Sequence, residues 1–245
     1  AEASRKKFNP TISEVSAFNY AKLAAELNKN NVAINSINFF IKTYPESTYA
    51  DEAKSLLADV FLNTKNYTAA IKLLEDIPNL NVRSKEAYQK ITFHRAEELY
   101  LNQEYDRADA FFKKSLKYPI NKTQEGLAYF WRAEIAAKSG NYTTSINLMN
   151  RFMSYNEILQ FKNYGYYSIG YSYFKMKDYP KAQIFFSKFK SKETYDAENK
   201  KLYLDNTQRL ADCYFINGAY SKAISEYEFI IKNNYQHSDY AIFQQ

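Results

Sequence analysis

The side chains able to do chemistry fall into a sparse group and a periodic one. The sparse group is His94, His237 and Cys213. Nucleophilic or acid–base catalysis needs such groups within hydrogen-bond reach of one another and of an orienting acid. His94 and His237 lie far apart, and neither has Cys, Ser or an acidic residue at triad spacing. His94, beside Arg95, reads as structural, His237 as a solvated loop residue and Cys213 as a small packing residue. No phosphate-cradling glycine loop, paired-cysteine metal site or nucleophile elbow occurs. The expectation is a protein that is not an enzyme and carries no catalytic, metal or cofactor site.

The periodic group is organised around small residues at Ala21, Ala58, Ala96, Ala133, Gly170 and Ala211. Three positions before them stand Phe18, Ser55, Phe93, Phe130, Tyr167 and Gln208, and one position after them Lys22, Asp59, Glu97, Glu134, Tyr171 and Asp212. An aromatic row thus accompanies a predominantly acidic row, in a chain of net charge +6. Such a pattern suits an extended ligand carrying Lys or Arg, with cation–π attraction of about 0.5–2 kcal/mol per ring. The competing reading is that the aromatics pack between neighbouring units and the carboxylates pair with Arg95, Arg132 or Arg209.

These rows need elements that repeat. A second set of small residues, Ala33, Ala70, Ala108, Ser145, Ala182 and Ala223, follows the first at a constant distance of twelve. Five of these are preceded by a tyrosine three positions earlier: Tyr67, Tyr105, Tyr142, Tyr179 and Tyr220, at spacings of 38, 37, 37 and 41. A fixed period of this size marks stacked repeats. Paired small residues let two helices cross closely without leaving a cavity. Tyr166, Ile169, Gly170 and Tyr173 share one face of a first helix, and Ala182, Phe185, Phe186 and Phe189 mark a second. Gly140-Asn141 and Asn217-Gly218 suit the left-handed end of a helix, and Pro180 a first turn that needs no donor. Thr11 with Glu14, and Thr48 with Asp51, have capping-box spacing.

Composition agrees. Five glycines and five prolines leave little room for the many tight turns of an all-β fold. Lys and Arg number 33 against 27 Asp and Glu, with the acids spread throughout. The short basic clusters (Arg5-Lys6-Lys7, Lys113-Lys114-Lys117, Lys188/Lys190/Lys192, Lys200-Lys201) read as solvated faces and tails, so no nucleic-acid partner is expected. One cysteine excludes an internal disulfide and a Cys-rich zinc site. No apolar run is long enough to span a membrane. The opening Ala1-Glu2-Ala3-Ser4 reads as that of a processed or trimmed protein. The sequons at Asn66, Asn121 and Asn141 read as turn asparagines that match by chance.

The arrangement resembles the tetratricopeptide repeat family over about residues 13 to 241. Tyr166, Ile169-Gly170, Tyr173, Ala182 and Phe186 carry the resemblance best, with Ala33, Ile37, Phe40 and Pro45 in the first unit. Two features depart from the family. The spacing exceeds its 34-residue unit, and the signature tryptophan is missing, with Trp131 two positions past Tyr129. The longest interval contains Lys190-Ser191-Lys192-Glu193-Thr194, expected as an extended loop or an overlong helix.

The resemblance implies an all-α, right-handed solenoid of six antiparallel helix pairs. Its expected divisions are an N-terminal arm 1–12, repeats at about 13–47, 48–83, 84–120, 121–158, 159–195 and 196–241, and a truncated seventh repeat beginning at 242–245. It also implies that first helices line a concave groove. Phe18, Lys22, Asp59, Phe93, Glu97, Phe130, Glu134, Tyr167, Tyr171, Gln208 and Asp212 then become candidate groove residues. The acids on that stripe argue against capture of an acidic chaperone tail.

The segment from Tyr44 to Ala50 is similar to junctions in tetratricopeptide proteins of the Gram-negative envelope, and Tyr235 to Ala241 repeats it. The expected function is a non-catalytic scaffold holding a peptide or partner helix, the partner carrying basic residues. The open end is expected to continue into further repeats or to dock on a partner, self-association included. The expected compartment is the cell envelope or periplasm, with the cytoplasm as alternative. Two other functions remain open: carbohydrate stacking on Phe93, Phe130, Tyr167 and Tyr171, and a purely structural module of a larger chain.

Overall fold

The computed structural model describes residues 10–156 and 162–233. Among them are twelve α-helices and no strand: α1 Pro10–Glu26, α2 Asn30–Thr43, α3 Ala50–Asn63, α4 Tyr67–Glu75, α5 Val82–Leu101, α6 Tyr105–Ser115, α7 Lys122–Lys138, α8 Tyr142–Met153, α9 Lys162–Lys175, α10 Tyr179–Lys192, α11 Lys200–Ile216 and α12 Tyr220–Lys232. The odd-numbered helices are the first members of six pairs. All five signature tyrosines are the opening residues of second helices, as the period requires. The second junction at 235–241, His237, the start of a seventh repeat at 242–245 and residues 1–9 of the N-terminal arm lie outside the described residues.

The small-residue pairs do what their spacing predicts. All twelve are buried, and the eleven with a side chain are no more than 1% exposed. A small side chain at both crossing points lets helix axes approach the short end of the roughly 8–10 Å range for packed helices. At Gly170 there is no room even for a methyl group: an added Cβ would sit 2.8 Å from Phe186 Cδ1. Large residues one or two turns away fill the remaining space, among them Ile37, Phe40, Leu74, Phe112, Phe152, Phe186 and Tyr227, all buried.

The turn within each pair is the same device six times. Asn28, Lys65, Gln103, Gly140, Lys177 and Gly218, each five residues before the second small residue, have φ between 54° and 79°. At each turn the next residue's N–H reaches back five positions, as Asn66 N does to Phe61 O at 2.7 Å and Asn141 N to Ala136 O at 2.8 Å. This is the Schellman closure, which satisfies helix-end carbonyls and turns the chain at once. Two of the six positions carry the expected glycine; the other four are held left-handed despite a Cβ. Across three turns an aromatic of the first helix meets the signature tyrosine edge-on: Tyr100–Tyr105, Phe174–Tyr179 and Phe215–Tyr220, with centroids 5.3–5.5 Å apart.

Neither capping box forms. Helix α1 begins at Pro10, which places Thr11 inside it, and the Glu14 carboxylate accepts instead from the Ser47 hydroxyl. Helix α3 begins after Tyr49, whose N–H donates to Ser47 Oγ, so the cap falls one residue later than the Thr48 spacing suggested. Asparagines take over the capping: Asn66, Asn81 and Asn121 accept from the N–H groups of Ala69, Ser84 and Gln124. Two of the three sequon asparagines are thus helix caps. The long interval is resolved as both alternatives together. Helix α10 runs to Lys192, and a loop over 193–199 follows, tied by Asn199 Nδ2 to Glu193 at 2.8 Å.

The chain forms two compact units, Ala1–Ala128 and Tyr129–Gln245, the boundary falling within α7. In the first unit, successive helices from α1 to α6 pack on one another, and the first helices α1, α3 and α5 also touch in sequence. Its core runs from Phe18, Ile37, Phe40 and Leu57 to Leu74, Tyr88 and Ile91. In the second unit, α8 to α12 pack successively and the first helices α9 and α11 touch. The core there includes Phe186, Leu210, Cys213, Tyr227 and Ile230. In each unit the first helices line up along one side, which is what places their facing stripes together.

Candidate functional site

The stripe of α9 that carries Tyr164, Tyr167, Ser168, Tyr171 and Lys175 follows i, i+3, i+4, i+7 and i+11 spacing, one helical face. With Glu134 and Lys138 of α7, Tyr142 of α8 and Arg209 of α11 it lines an open cleft of about 530 Å³ within the second unit. Tyr164 and Ser168 donate their hydroxyls to Glu134 Oε2 and Oε1 at 3.0 and 2.8 Å. Burial raises the Glu134 pKa, and these two bonds and the nearby Lys138 charge only partly offset it.

The other wall is held by Asp205. Its Oδ2 accepts from the Tyr167 hydroxyl at 2.6 Å and from Arg209 Nε at 2.7 Å, and its Oδ1 from Arg209 Nη2 at 3.0 Å. The guanidinium lies over Tyr171, 4.7 Å from the ring centroid, and over Phe174 at 5.5 Å. Burial opposes the Arg209 charge, but the bidentate carboxylate more than offsets it and holds its pKa above normal. Burial and the same carboxylate push the Tyr167 phenol up, so it remains a donor at neutral pH. Tyr167 and Tyr171 stack with centroids 6.3 Å apart. The result is a preorganised wall of two rings and one cation.

The eleven sequence candidates divide three ways. Glu134, Tyr167 and Tyr171 come together in this cleft, and Glu97 lines a smaller one of about 290 Å³ in the first unit, with Lys65, Tyr67, His94 and Leu101. Phe18 and Phe93 are core residues, 4% and 3% exposed, packed on Tyr49 and Phe112. Phe130 is half-buried against Phe152 and Tyr164, and Gln208 is half-buried on α11.

The charged candidates are engaged within the chain. Lys22 pairs with Glu52 at 3.2 Å, Asp59 with Arg83 at 3.6 Å and Glu97 with His94 at 2.8 Å, while Asp212 accepts from Tyr227 OH at 2.7 Å. The acidic row is therefore not an open strip for a basic ligand. Of the pairings argued from Arg95, Arg132 and Arg209, two fall elsewhere: Arg95 pairs with Glu98 and Arg209 with Asp205. Asp205 and Arg209 were missed as site residues, although their i, i+4 spacing on one helix was visible. Tyr164 and Lys175 were missed because the stripe was read one turn either side of Gly170 rather than two.

Cys213 is fully buried, and burial, then the charge of Asp212, pushes its thiol up to about 12. Among the described residues no group of His, Cys, Asp and Glu could hold a metal ion, and no helix is long and apolar enough to cross a membrane.

Residues 164–193, the pair α9–α10, match the tetratricopeptide repeat family model. No curated protein matches the chain. Among solved structures it is similar to BtubC (BKLC) from P. vanneervenii, at 14% identity and TM-score 0.57, over 89% of this chain and 88% of that one. It is similar to YrrB, described as a TPR protein with an unusual peptide-binding site, at 12% identity and TM-score 0.51, over 79% and 91%. It is also similar to pilF of Pseudomonas aeruginosa, at 9% identity and TM-score 0.51, over 94% and 96%. At these identities the likeness is one of fold.

Proposed function

We propose that this chain, a tetratricopeptide-repeat protein by the repeat at 164–193 and by its fold, is a non-catalytic interaction scaffold that holds an extended peptide segment in the cleft of its second unit. Proteins of this family are generally scaffolds for other proteins. One observation carries the reading: a cleft of about 530 Å³ lined by four tyrosines, two of them fixed by the Asp205–Arg209 pair. Rings held in place offer contact area at little entropic cost, and their hydroxyls and the neighbouring lysines can satisfy a peptide's polar groups. The YrrB likeness supports the peptide class without extending to its residues. The envelope junction motif around Pro45 supports an envelope location, which fractionation of the source cells would test.

Selection of a phage-displayed peptide library on the full chain tests the function. Selected peptides should bind at least about tenfold more weakly to Tyr171→Ala, the loss expected when a central aromatic contact is truncated. Peptides that bind this variant unchanged would place the partner elsewhere and sink the proposal. Glycan-array binding that disappears in the same variant would move the cleft to carbohydrate recognition instead.

A further inference from the structure

We infer that the second-unit cleft reads an acidic side chain, an Asp or Glu within the bound segment, through Lys138, Lys175, Arg209 and Glu134 together. The inference rests on the peptide reading above and concerns what the cleft selects. Charge is the first argument. The groups facing Glu134 are Lys138 from α7, Tyr142 from α8, Tyr164, Tyr167, Tyr171 and Lys175 from α9, and Arg209 with Asp205 behind it from α11. Three cations meet two carboxylates, a balance of +1. Lys138 and Lys175 are exposed, where an incoming carboxylate would meet them first.

The second argument concerns the rings. A basic ligand would seek cation–π contact, but the Tyr171 ring already carries the cleft's own cations, the Arg209 carbon at 4.7 Å and the Lys175 nitrogen at 5.8 Å. A further cation would have to displace one of them, and would meet the repulsion of both. An anion meets neither obstacle.

Glu134 would repel an anion if both were charged. Two carboxyl groups in one site resolve this by sharing a proton. Burial already disfavours the Glu134 charge, and a protonated Glu134 turns from acceptor to donor. Binding is then the joining of a ligand carboxylate, the Glu134 carboxylate and one proton from solvent. Affinity for an acidic segment should rise as pH falls, by up to about tenfold per pH unit while free Glu134 is ionised.

The test uses the full chain and three hexapeptides of glycine and tyrosine, blocked at both ends, carrying two glutamates, two lysines or two glutamines. Blocking removes any terminal carboxylate. Fluorescence anisotropy should show the glutamate peptide tightest and tightening from about pH 8 to about pH 6, with calorimetry in two buffers showing proton uptake. Glu134→Gln should strengthen its binding at the higher pH and flatten the profile. Tighter binding of the lysine peptide, weakened by Glu134→Gln, overturns the inference in favour of a basic ligand. Binding of all three that Tyr171→Ala abolishes and Glu134→Gln leaves unchanged also overturns it, but leaves the peptide cleft standing. Failure of all three to bind overturns both readings.

Discussion

The two clefts stand at matching places in the repeat and share almost no chemistry. In the first unit, Tyr67 opens the second helix, and His94, Glu97 and Leu101 of α5 line the cleft beside it. In the second, Tyr142 opens the helix, and the residues of α9 at those same positions are Ser168, Tyr171 and Lys175. One scaffold thus presents a small, internally paired His–Glu surface at one site and a larger tyrosine–lysine surface at the other. The backbone rules are identical: a buried small pair, a left-handed turn residue and a tyrosine at the helix start. The difference shows that the period constrains crossing and turn positions and leaves facing positions free to vary. Function in such a scaffold has to be argued from the facing residues one cleft at a time.

The largest expected effect comes from exchanging the crossing residues of the two units. Gly170→Ala drives a methyl group to within 2.8 Å of Phe186, which is fully buried and has nowhere to move. The overpacking should cost about 1–3 kcal/mol despite alanine's better helix propensity. The reverse change in the first unit, Ala96→Gly, removes a methyl without a clash and should cost only about 1 kcal/mol. Urea denaturation of both variants checks the order. Equal losses would mean that the second crossing is no tighter than the first.

Next is the Asp205–Arg209 pair. Asp205→Asn leaves a guanidinium, three-quarters covered, without its charge partner, and loosens Tyr167. A loss of about 1–2 kcal/mol is expected, less than for a fully buried pair because solvent still reaches it. The near-ultraviolet circular dichroism of the tyrosines should change as well. Unaltered stability would show that the wall of the cleft is not braced as its geometry suggests.

The turns should respond in the opposite direction. Lys65, Gln103 and Lys177 occupy the left-handed position that Gly140 and Gly218 occupy elsewhere. Removing the Cβ relieves about 1–2 kcal/mol of strain and costs about 0.5–1 kcal/mol of chain entropy, so each change to glycine should stabilise by up to about 1 kcal/mol. Thermal melting of Lys65→Gly and Lys177→Gly, one in each unit, tests whether the device is equivalent in both. A decrease in stability would break that equivalence.

How far the sequence could be read follows the same division. Positions locked by backbone geometry were legible, because only small residues fit a close crossing and a fixed offset from them places every helix start. The turn position itself was seen only where it was glycine; four non-glycine residues occupy it under the constraint of the closed turn, and composition cannot show that. Caps were misread at Thr11 and Thr48 because their spacing is short and common, and the hydroxyl that acts there is that of Ser47. The acidic row was legible as a pattern, but its pairing depends on neighbours outside the pattern. Tyr227, which closes on Asp212, comes from a second helix, and Ser168, which closes on Glu134, stands three positions before the row's own Tyr171.

The smallest effect makes the sharpest contrast, because it compares two Asp–Arg pairs. In the first unit, Asp59 and Arg83 are 3.6 Å apart with side chains 37% and 57% exposed, against 24% and 25% for Asp205 and Arg209. Burial raises the Asp59 pKa above 3.8 and Arg83 only partly offsets it, so the carboxylate is less stable folded than in the open chain. A folded pKa above the unfolded one means that the folded state holds its proton to higher pH. This group's contribution to stability therefore falls as pH rises from about 3.8 to the raised value, and the penalty stays constant above it. Asp59→Asn should accordingly change stability by less than about 0.5 kcal/mol at neutral pH, toward greater stability, where Asp205→Asn loses several times that. The difference between wild type and Asp59→Asn, followed by urea denaturation across the acid range, should grow with pH in the variant's favour. A difference that moves in the wild type's favour as pH rises would show that Arg83 outweighs burial, and that the two pairs differ in degree rather than in sign.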